Sequence, residues 1–283
     1  MSTSPLKHFI LTRFNLCLWN KDKEGNKVRT EEWLGHRFTL FEHYCLPSVI
    51  HQTCQDFQWI VLFDSNTPEP YKKRIGEIQE VFPRLIPVYV RPEGGRFFAQ
   101  IFRDEVVKRL NGERVITTYL DNDDALNVGF VEDVQKRAES LPDGTFLNYT
   151  DGCQFYTDHN YLMRVHYPRN HFLSVVENGN PLMVKTIYGY GSHYYIDKIP
   201  GVKIEKIRKT PMWCEVIHER NMGNDAYFLL GARMVRDGER TRREFAVDEP
   251  VRYGIGLYLF RFIPRYIKTY IRRIGYFFFG RHW

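Results

Sequence analysis

The stretch that most constrains this chain is Val115-Ile116-Thr117-Thr118-Tyr119-Leu120-Asp121-Asn122-Asp123-Asp124. Its run of β-branched, aromatic and aliphatic residues predicts a buried strand, and the carboxylates that follow fall at the strand's tip. In open α/β sheets ligands bind beyond the carboxyl ends of the strands, so Asp121, Asp123 and Asp124 stand where a site is expected. Carboxylates this close repel one another and require a positive partner at neutral pH. A divalent cation, Mg²⁺ or Mn²⁺, meets that need with hard oxygen ligands and is commonly completed by substrate phosphates. Alternation along an extended strand would send Asp121 and Asp123 to one side and Asp124 to the other. The same residues also suit an Asx-rich turn that caps the next helix.

Around that stretch the first 142 residues alternate between strand and helix patterns. His8 to Leu16 predicts a first strand. From Glu31, the residues Trp33, Leu34, Phe38, Phe41 and Cys45 recur at helical spacing, with Pro47 placed to end or kink the helix. Phe57 to Phe63 predicts the second strand, closed by Asp64-Ser65-Asn66-Thr67-Pro68, and Leu85 to Val90 the third. Gly94-Gly95-Arg96 opens a helix from Phe97 to Leu110, and another runs from about Val128 to Ser140. This alternation predicts an α/β fold with a mostly parallel sheet and helices on its faces. Beyond residue 143 the regularity fades. Thr145 to Tyr149 and Asn160 to Tyr167 predict strands, Asp151 and Asp158 fall in a turn-rich connection, and His171 to Glu177 suits a loop or short helix.

The strand tips form one polar set: Thr12-Arg13, Asp64-Ser65, Gly94-Gly95-Arg96 and the acidic tip itself. A glycine pair before a helix lets backbone N–H groups approach a phosphate, with Arg96 or Arg103 adding charge. Asp64 can accept hydrogen bonds from a base or ribose. Each element alone also makes an ordinary turn or cap; together they point to a nucleotide, a metal and a diphosphate.

Charge narrows the partners. The chain is formally +6, yet residues 250–283 hold Arg252, Arg261, Arg265, Lys268, Arg272, Arg273 and Arg281 with no acid, so the rest is slightly acidic. Basicity confined to a tail argues against nucleic-acid binding. The cysteines, Cys17, Cys45, Cys54, Cys153 and Cys214, are odd in number and lack a C-x-x-C pair, which suits a reducing compartment. Met1 to Lys7 lacks the apolar run of a signal peptide, so a cytoplasmic location is expected.

Asp64-Ser65, Gly94-Gly95-Arg96 and Tyr119-Leu120-Asp121-Asn122-Asp123-Asp124, in that order, resemble the A-type-fold glycosyltransferases, in which a nucleotide-sugar donor sits on a Rossmann-like sheet and a DxD motif holds the metal. More narrowly, Thr12-Arg13-Phe14, Trp33 with Arg37 and Phe41, Pro47-Ser48, Phe57 with Trp59, and Trp213 with His218 and Asn221 look similar to the bacterial rhamnosyltransferase family. The resemblance covers roughly residues 8 to 230 and is most specific at the DxD strand. It implies a nucleotide-sugar-binding half at 1–142 and an irregular acceptor-side half of the same catalytic domain at 143–249. The implied reaction is inverting transfer of a sugar, with rhamnose the suggestion, from a nucleotide-diphosphate donor to a saccharide or lipid-linked acceptor. Thr12, Arg13, Asp64, Ser65, Arg96 and Asp121 would bind the donor. Asp121 and Asp123 would hold the metal, with His218 completing its shell. Inversion needs a carboxylate to take the acceptor's proton. Glu177, Asp151, Glu215 and Asp225 are the candidates, and Glu177 is preferred because the apolar run before it could hold it rigid and raise its pKa. His193 is placed to touch acceptor or phosphate.

In the tail, Arg261, Arg265, Lys268 and Arg272 share one helical face while Leu259, Phe260, Ile263, Ile267, Tyr270 and Ile271 fill much of the rest. Basic residues interrupt it too often for a span of ~20 apolar residues. The pattern suits an amphipathic helix lying on the inner face of an anionic membrane, near a lipid-carried acceptor. A helix packed on the body, or a homodimer burying the apolar stripe, would use the same residues. Two other functions share part of this pattern. A sugar-phosphate nucleotidyltransferase would want a Gly-rich loop after the first strand, where Thr12-Arg13-Phe14-Asn15 stands instead, and a non-catalytic membrane adaptor would not need acidic strand tips.

Overall fold

The computed structural model describes residues 5–18, 30–218 and 232–279. The strands are β1 Leu6–Arg13, β2 Gln58–Asp64, β3 Leu85–Val90, β4 Arg114–Tyr119, β5 Ala125–Leu126, β6 Thr145–Tyr149, β7 Asp151–Tyr156, β8 Tyr161–His166, β9 Leu173–Glu177, β10 Lys203–Ile207, β11 Trp213–Ile217 and β12 Arg233–Met234. Among the described residues a seven-stranded sheet has the order β10-β6-β9-β4-β1-β2-β3, and a five-stranded one the order β12-β8-β7-β11-β5. β3, β2, β1 and β4 are mutually parallel, and β9 alone runs against its neighbours β4 and β6. This is the α/β, mostly parallel architecture that the strand and helix alternation predicts.

The helices are α1 Glu31–Leu40, α2 Leu46–Ile50, α3 Glu69–Val81, α4 Phe98–Val107, α5 Phe130–Ala138, α6 Thr186–Gly189, α7 Gly238–Glu244, α8 Ile255–Leu257 and α9 Ile263–Phe279. Alternation along the central strands feeds two cores. On one face Ile10, Trp59, Val61, Phe63 and Ile116 pack with Phe38 of α1 and Phe130 and Val134 of α5. On the other, Phe9, Leu11, Ile60, Leu62 and Val115 pack with Phe102 and Val106 of α4 and Ile187 of α6. Each fully buried side chain of this size contributes about 1.5–3 kcal/mol relative to exposure, which is why β2 is apolar from Trp59 to Phe63 instead of alternating. Thr12, expected at the donor, belongs to this interior: it is fully buried and its Oγ1 accepts the Trp59 indole N–H at 2.9 Å.

Thr30 caps α1, its Oγ1 accepting the Trp33 N–H at 3.2 Å. Of the two outcomes expected at Pro47, an end or a kink, the helix does not end there. A π turn, Phe41–Cys45, intervenes, with the Leu46 N–H donating to the Phe41 carbonyl, and α2 continues to Ile50. The widened turn accommodates a proline that lacks a donor.

Two segments of the second half depart from expectation. His171 to Glu177, expected as a loop or short helix, contains strand β9, inserted between β4 and β6. A short continuous apolar run fits a buried strand or a buried helix equally well until its neighbours are known. The stretch from Asp151, expected as a turn-rich connection, is strand β7, paired with β8 and β11. Trp213 on β11 packs flat on Phe172, with centroids 4.8 Å apart and planes at 8°, and its indole N–H donates to the Tyr149 carbonyl at 2.7 Å. Its ring also lies against the backbone of Gly152, where an added Cβ would fall 2.2 Å from ring carbons. Gly152→Ala is therefore expected to force a rigid indole or its strand aside, costing about 1–3 kcal/mol or more in urea denaturation.

Candidate active site

β4 ends at Tyr119, and the chain turns at once, the Asp124 N–H lying 3.4 Å from the Asp121 carbonyl. The pleat that would have paired Asp121 with Asp123 stops two residues before the first of them. Asp121 and Asp124 instead converge with His171, their ligand atoms all within 4.8 Å of one another. His171 Nε2 is 2.9 Å from Asp124 Oδ2 and 3.9 Å from Asp121 Oδ2. The other Asp124 oxygen accepts the Val216 N–H at 2.9 Å, which ties the acidic turn to β11. Burial pushes the Asp124 carboxyl up; it would lower His171, but the hydrogen bond and charge of Asp124 raise the imidazole instead. The pair keeps a shared proton through neutral pH.

Asp123 faces a different set. Its Oδ2 accepts from Arg37 at 2.6 Å and lies 3.0 Å from His218 Nε2. Burial alone would raise its carboxyl, but Arg37 and then His218 hold it well below the usual range. Asn122 braces the same arginine at 3.2 Å and donates to the Phe14 carbonyl at 2.7 Å. Asp121 is the most exposed of the three acids. It accepts from Tyr119 Oη at 3.1 Å and sits 3.5 Å from Arg13, whose guanidinium also donates to Tyr119 Oη at 2.6 Å.

Beyond Phe14, a cleft of about 350 Å³ is lined by Asn15, Thr30, Trp33, Asp64, Asn66, Thr67 and Pro92, among others. That volume is at the lower end for small-molecule pockets. Asn15 shapes it, accepting the Asp64 N–H at 3.0 Å and donating to Thr67 Oγ1 at 3.0 Å. Trp33 Nε1 is buried with no hydrogen-bond partner among the described residues. Ser65 follows Asp64, and its N–H donates to the Val90 carbonyl at 2.8 Å. Gly95 is packed so closely on the Cys17 backbone that an added Cβ would lie 3.3 Å from it. Arg96 is exposed, its guanidinium 4.7 Å from the Phe97 ring. Arg103 is engaged elsewhere, donating to the Val184 and Pro181 carbonyls at 2.9 and 2.7 Å.

The acid chosen as base from the sequence lies away from this rim. β9 runs antiparallel to β4 and pairs Glu177 with Val115, so its carboxylate is at the opposite end of the strand from Asp121, roughly 20 Å away at about 3.3 Å per residue. There it caps α6, accepting the Lys185 and Thr186 N–H groups at 2.9 and 3.0 Å and Tyr190 Oη at 3.1 Å. Of the other candidates, Asp151 pairs with His166 at 2.7 Å, and Asp225, like Asn221, lies outside the described residues. Glu215 is at the site: it is buried on β11, close enough to His171, Asp123 and Asp121 to feel their charges. Burial raises its carboxyl, against the charge of His171 and a hydrogen bond from Gln154 at 2.6 Å. His193 is 5.8 Å from His171 between ring centroids. Burial, with the charges of His171 and Arg13, holds it at about 3 and so neutral.

Sequence reasoning assigned no role to Arg37 or His171. Arg37 had a signal, an arginine on the apolar stripe of α1 between Trp33 and Phe41, which needs a buried acid. His171 had none, because the strand that follows it was not evident. Arg37→Met should leave the Asp123 charge buried with one cation fewer and cost about 3–5 kcal/mol, measured as a lowered urea midpoint with an unchanged slope.

Comparison with known proteins bears on the whole assembly. No curated protein matches the chain. Solved structures give distant similarities: S. aureus TarS (TM-score 0.40, 10% identity, 75% of this chain and 37% of that one) and the nucleoside-diphosphate-sugar pyrophosphorylase from Vibrio cholerae RC9 (0.34, 10%, 71% and 92%). A third is 4-diphosphocytidyl-2C-methyl-D-erythritol synthase (0.30, 14%, 51% and 59%). The chain thus spans little more than a third of TarS. Residues 11–227 match the family described as "Putative rhamnosyl transferase", a span that runs from the end of β1 through β11 and includes the cleft and the acids of the rim. The chain belongs to that family of glycosyltransferases.

Proposed function

We propose that this protein transfers a sugar, rhamnose by the family's description, from a nucleotide-diphosphate donor to a hydroxyl of a saccharide or lipid-linked acceptor, with inversion. The observation that carries the reading is the convergence of Asp121, Asp124 and His171 at the carboxyl end of β4, one bonded neighbour from a cleft of nucleoside size. Asp64, Asn15 and Asn66 line this cleft and bring polar groups to a base or ribose. Arg13, held by Tyr119, lies where it can attract the diphosphate.

Two carboxylates and an imidazole suit Mn²⁺ or Mg²⁺, and in this reading Asp121, Asp124 and His171 hold the ion. When bound, it offsets the negative charge that develops on the departing diphosphate. The set expected from the sequence, Asp121 with Asp123 and His218, shares Asp121, but here Arg37 already compensates Asp123. Glu215 takes the place proposed for Glu177, accepting the acceptor hydroxyl's proton as the sugar bond forms. Its burial makes it a stronger base than an exposed carboxylate.

The tail supports attachment to an anionic membrane. Ile255, Phe260, Ile267, Ile271 and Ile274 are exposed beside exposed Arg261 and Lys268, and no described helix is long and apolar enough to cross a bilayer. Sedimentation with phosphatidylglycerol vesicles, but not with phosphatidylcholine vesicles, is the expected result, and it should weaken with salt.

Thermal shifts with UDP, dTDP and GDP sugars, with and without Mn²⁺, test the core of the proposal. One nucleotide class should stabilise the protein in a Mn²⁺-dependent way, by about 2.7 kcal/mol at a hundredfold excess over Kd. Asp121→Asn and His171→Ala should abolish the shift and His218→Ala retain it; the opposite pattern returns the ion to Asp123 and His218. Because the ion must displace the proton shared by Asp124 and His171, Mn²⁺ affinity should rise with pH, by up to roughly tenfold per unit between about pH 6 and pH 8. No shift with any nucleotide in folded protein would defeat the reading.

A further inference from the structure

The C-terminal helix reaches the active site through a chain of polar contacts that the reaction scheme above does not use. The base of α9 is docked: Phe262 is buried in the main core, and Ile263 and Tyr266 pack against it. Just before it, the Arg252 N–H donates to the Asn160 carbonyl at 2.6 Å, in the turn between β7 and β8. Arg265 grips the same hairpin. It pairs with Asp158 at 2.8 Å, donates to Tyr161 Oη, and lies 5.0 Å from the Tyr156 ring and 5.9 Å from the Tyr161 ring. Those two rings stack in parallel, with centroids 4.6 Å apart and planes at 1°.

From Tyr156 the chain of bonds turns inward. Tyr156 Oη donates to Gln154 Oε1 at 2.9 Å, and Gln154 Nε2 donates to Glu215 Oε2 at 2.6 Å. The chemistry fixes this direction. Acting as a base, Glu215 is ionised and only accepts, so Gln154 presents its NH₂ to Glu215 and its carbonyl to Tyr156, whose hydroxyl proton then points toward Gln154. A neutral amide orients a carboxylate without neutralising it, as a lysine or arginine in the same place would. Buried polar chains of this kind are costly unless every member is satisfied, so loosening one end disturbs the other.

We propose that α9 is a positioning element of the active site, in which Arg265 acts through Tyr156 and Gln154 to hold the Glu215 carboxylate toward the acceptor side of the rim. The catalytic part of this inference rests on the reading of Glu215 as the proton acceptor. Arg265, Tyr156 and Gln154 are positioning residues and touch no reacting atom.

The test uses the full chain carrying Arg265→Met, Arg265→Lys, Tyr156→Phe, the Met/Phe double variant, Glu215→Gln, and Val81→Ser as an exposed control on α3. One readout is release of the nucleoside diphosphate from UDP-, dTDP- and GDP-rhamnose with water as acceptor, resolved into kcat and donor KM. The other is amide exchange across residues 213–217. Arg265→Met and Tyr156→Phe should each lower kcat roughly tenfold at unchanged KM, and the double variant should fall no further than the worse single one. Arg265→Lys should recover part of the loss, exchange at 213–217 should quicken in both single variants, and Val81→Ser should change neither readout. Additive losses, a change confined to KM, or unaltered exchange would overturn the proposal. If no rhamnose donor is hydrolysed, the exchange measurement decides alone. Full turnover in Glu215→Gln would overturn the base reading and this inference with it; a dead Glu215→Gln beside unresponsive exchange would overturn the inference and leave the base reading standing.

Discussion

Three carboxylates crowded into one buried turn are the constraint on which the rest of this protein depends. Unit charges a few ångströms apart in a poorly solvated site repel by several kcal/mol, more than a domain of this size can leave uncompensated. Each acid is answered by a cation or imidazole from a different element: Asp121 by Arg13 at the end of β1, Asp123 by Arg37 of α1 and His218 after β11, and Asp124 by His171 before β9. The acidic turn thereby gathers the first strand, the first helix and both sheets. Compensating these charges also shapes the molecule around them.

The same arrangement explains why a catalytic reading follows so directly from the fold. In the reading proposed above, the groups that offset charge are the ones a bound diphosphate or metal ion would re-partition, because each pair is a contact between side chains. Trp213, pressed on Phe172 and bonded to the Tyr149 carbonyl, stiffens the strand that supplies Val216 and Glu215.

Much of the fold could be read before any coordinates. Apolar runs such as Trp59 to Phe63 and Val115 to Ile116 are buried on both faces, and their spacing with intervening helices points to a parallel sheet. What could not be read depended on partners distant in the chain. Whether Leu173 to Glu177 is strand or helix is settled by β4 and β6 on either side, and its direction decides that Glu177 lies far from Asp121. The side to which each acid points hinges on β4 ending at Tyr119, since the strand alternation would have to continue through Asp124 to set their directions. In the tail the shared face of Arg261, Arg265 and Lys268 was legible, but Arg265 is drawn to Asp158 and Tyr161 on the body. Periodicity identifies a face and says nothing of its occupant.

The bond from the Val216 N–H to Asp124 joins positions 92 apart, and the Arg37–Asp123 and His218–Asp123 contacts span 86 and 95. Contacts of such separation form late, because chain entropy must be surrendered before they return anything. During synthesis the acidic turn therefore emerges, and β1 to β4 can assemble, well before β11 arrives to donate its Val216 N–H to Asp124. For that interval the nascent sheet carries Asp124 at its rim without the backbone N–H of Val216, so the arrival of β11 ties down a turn that the earlier strands have already made.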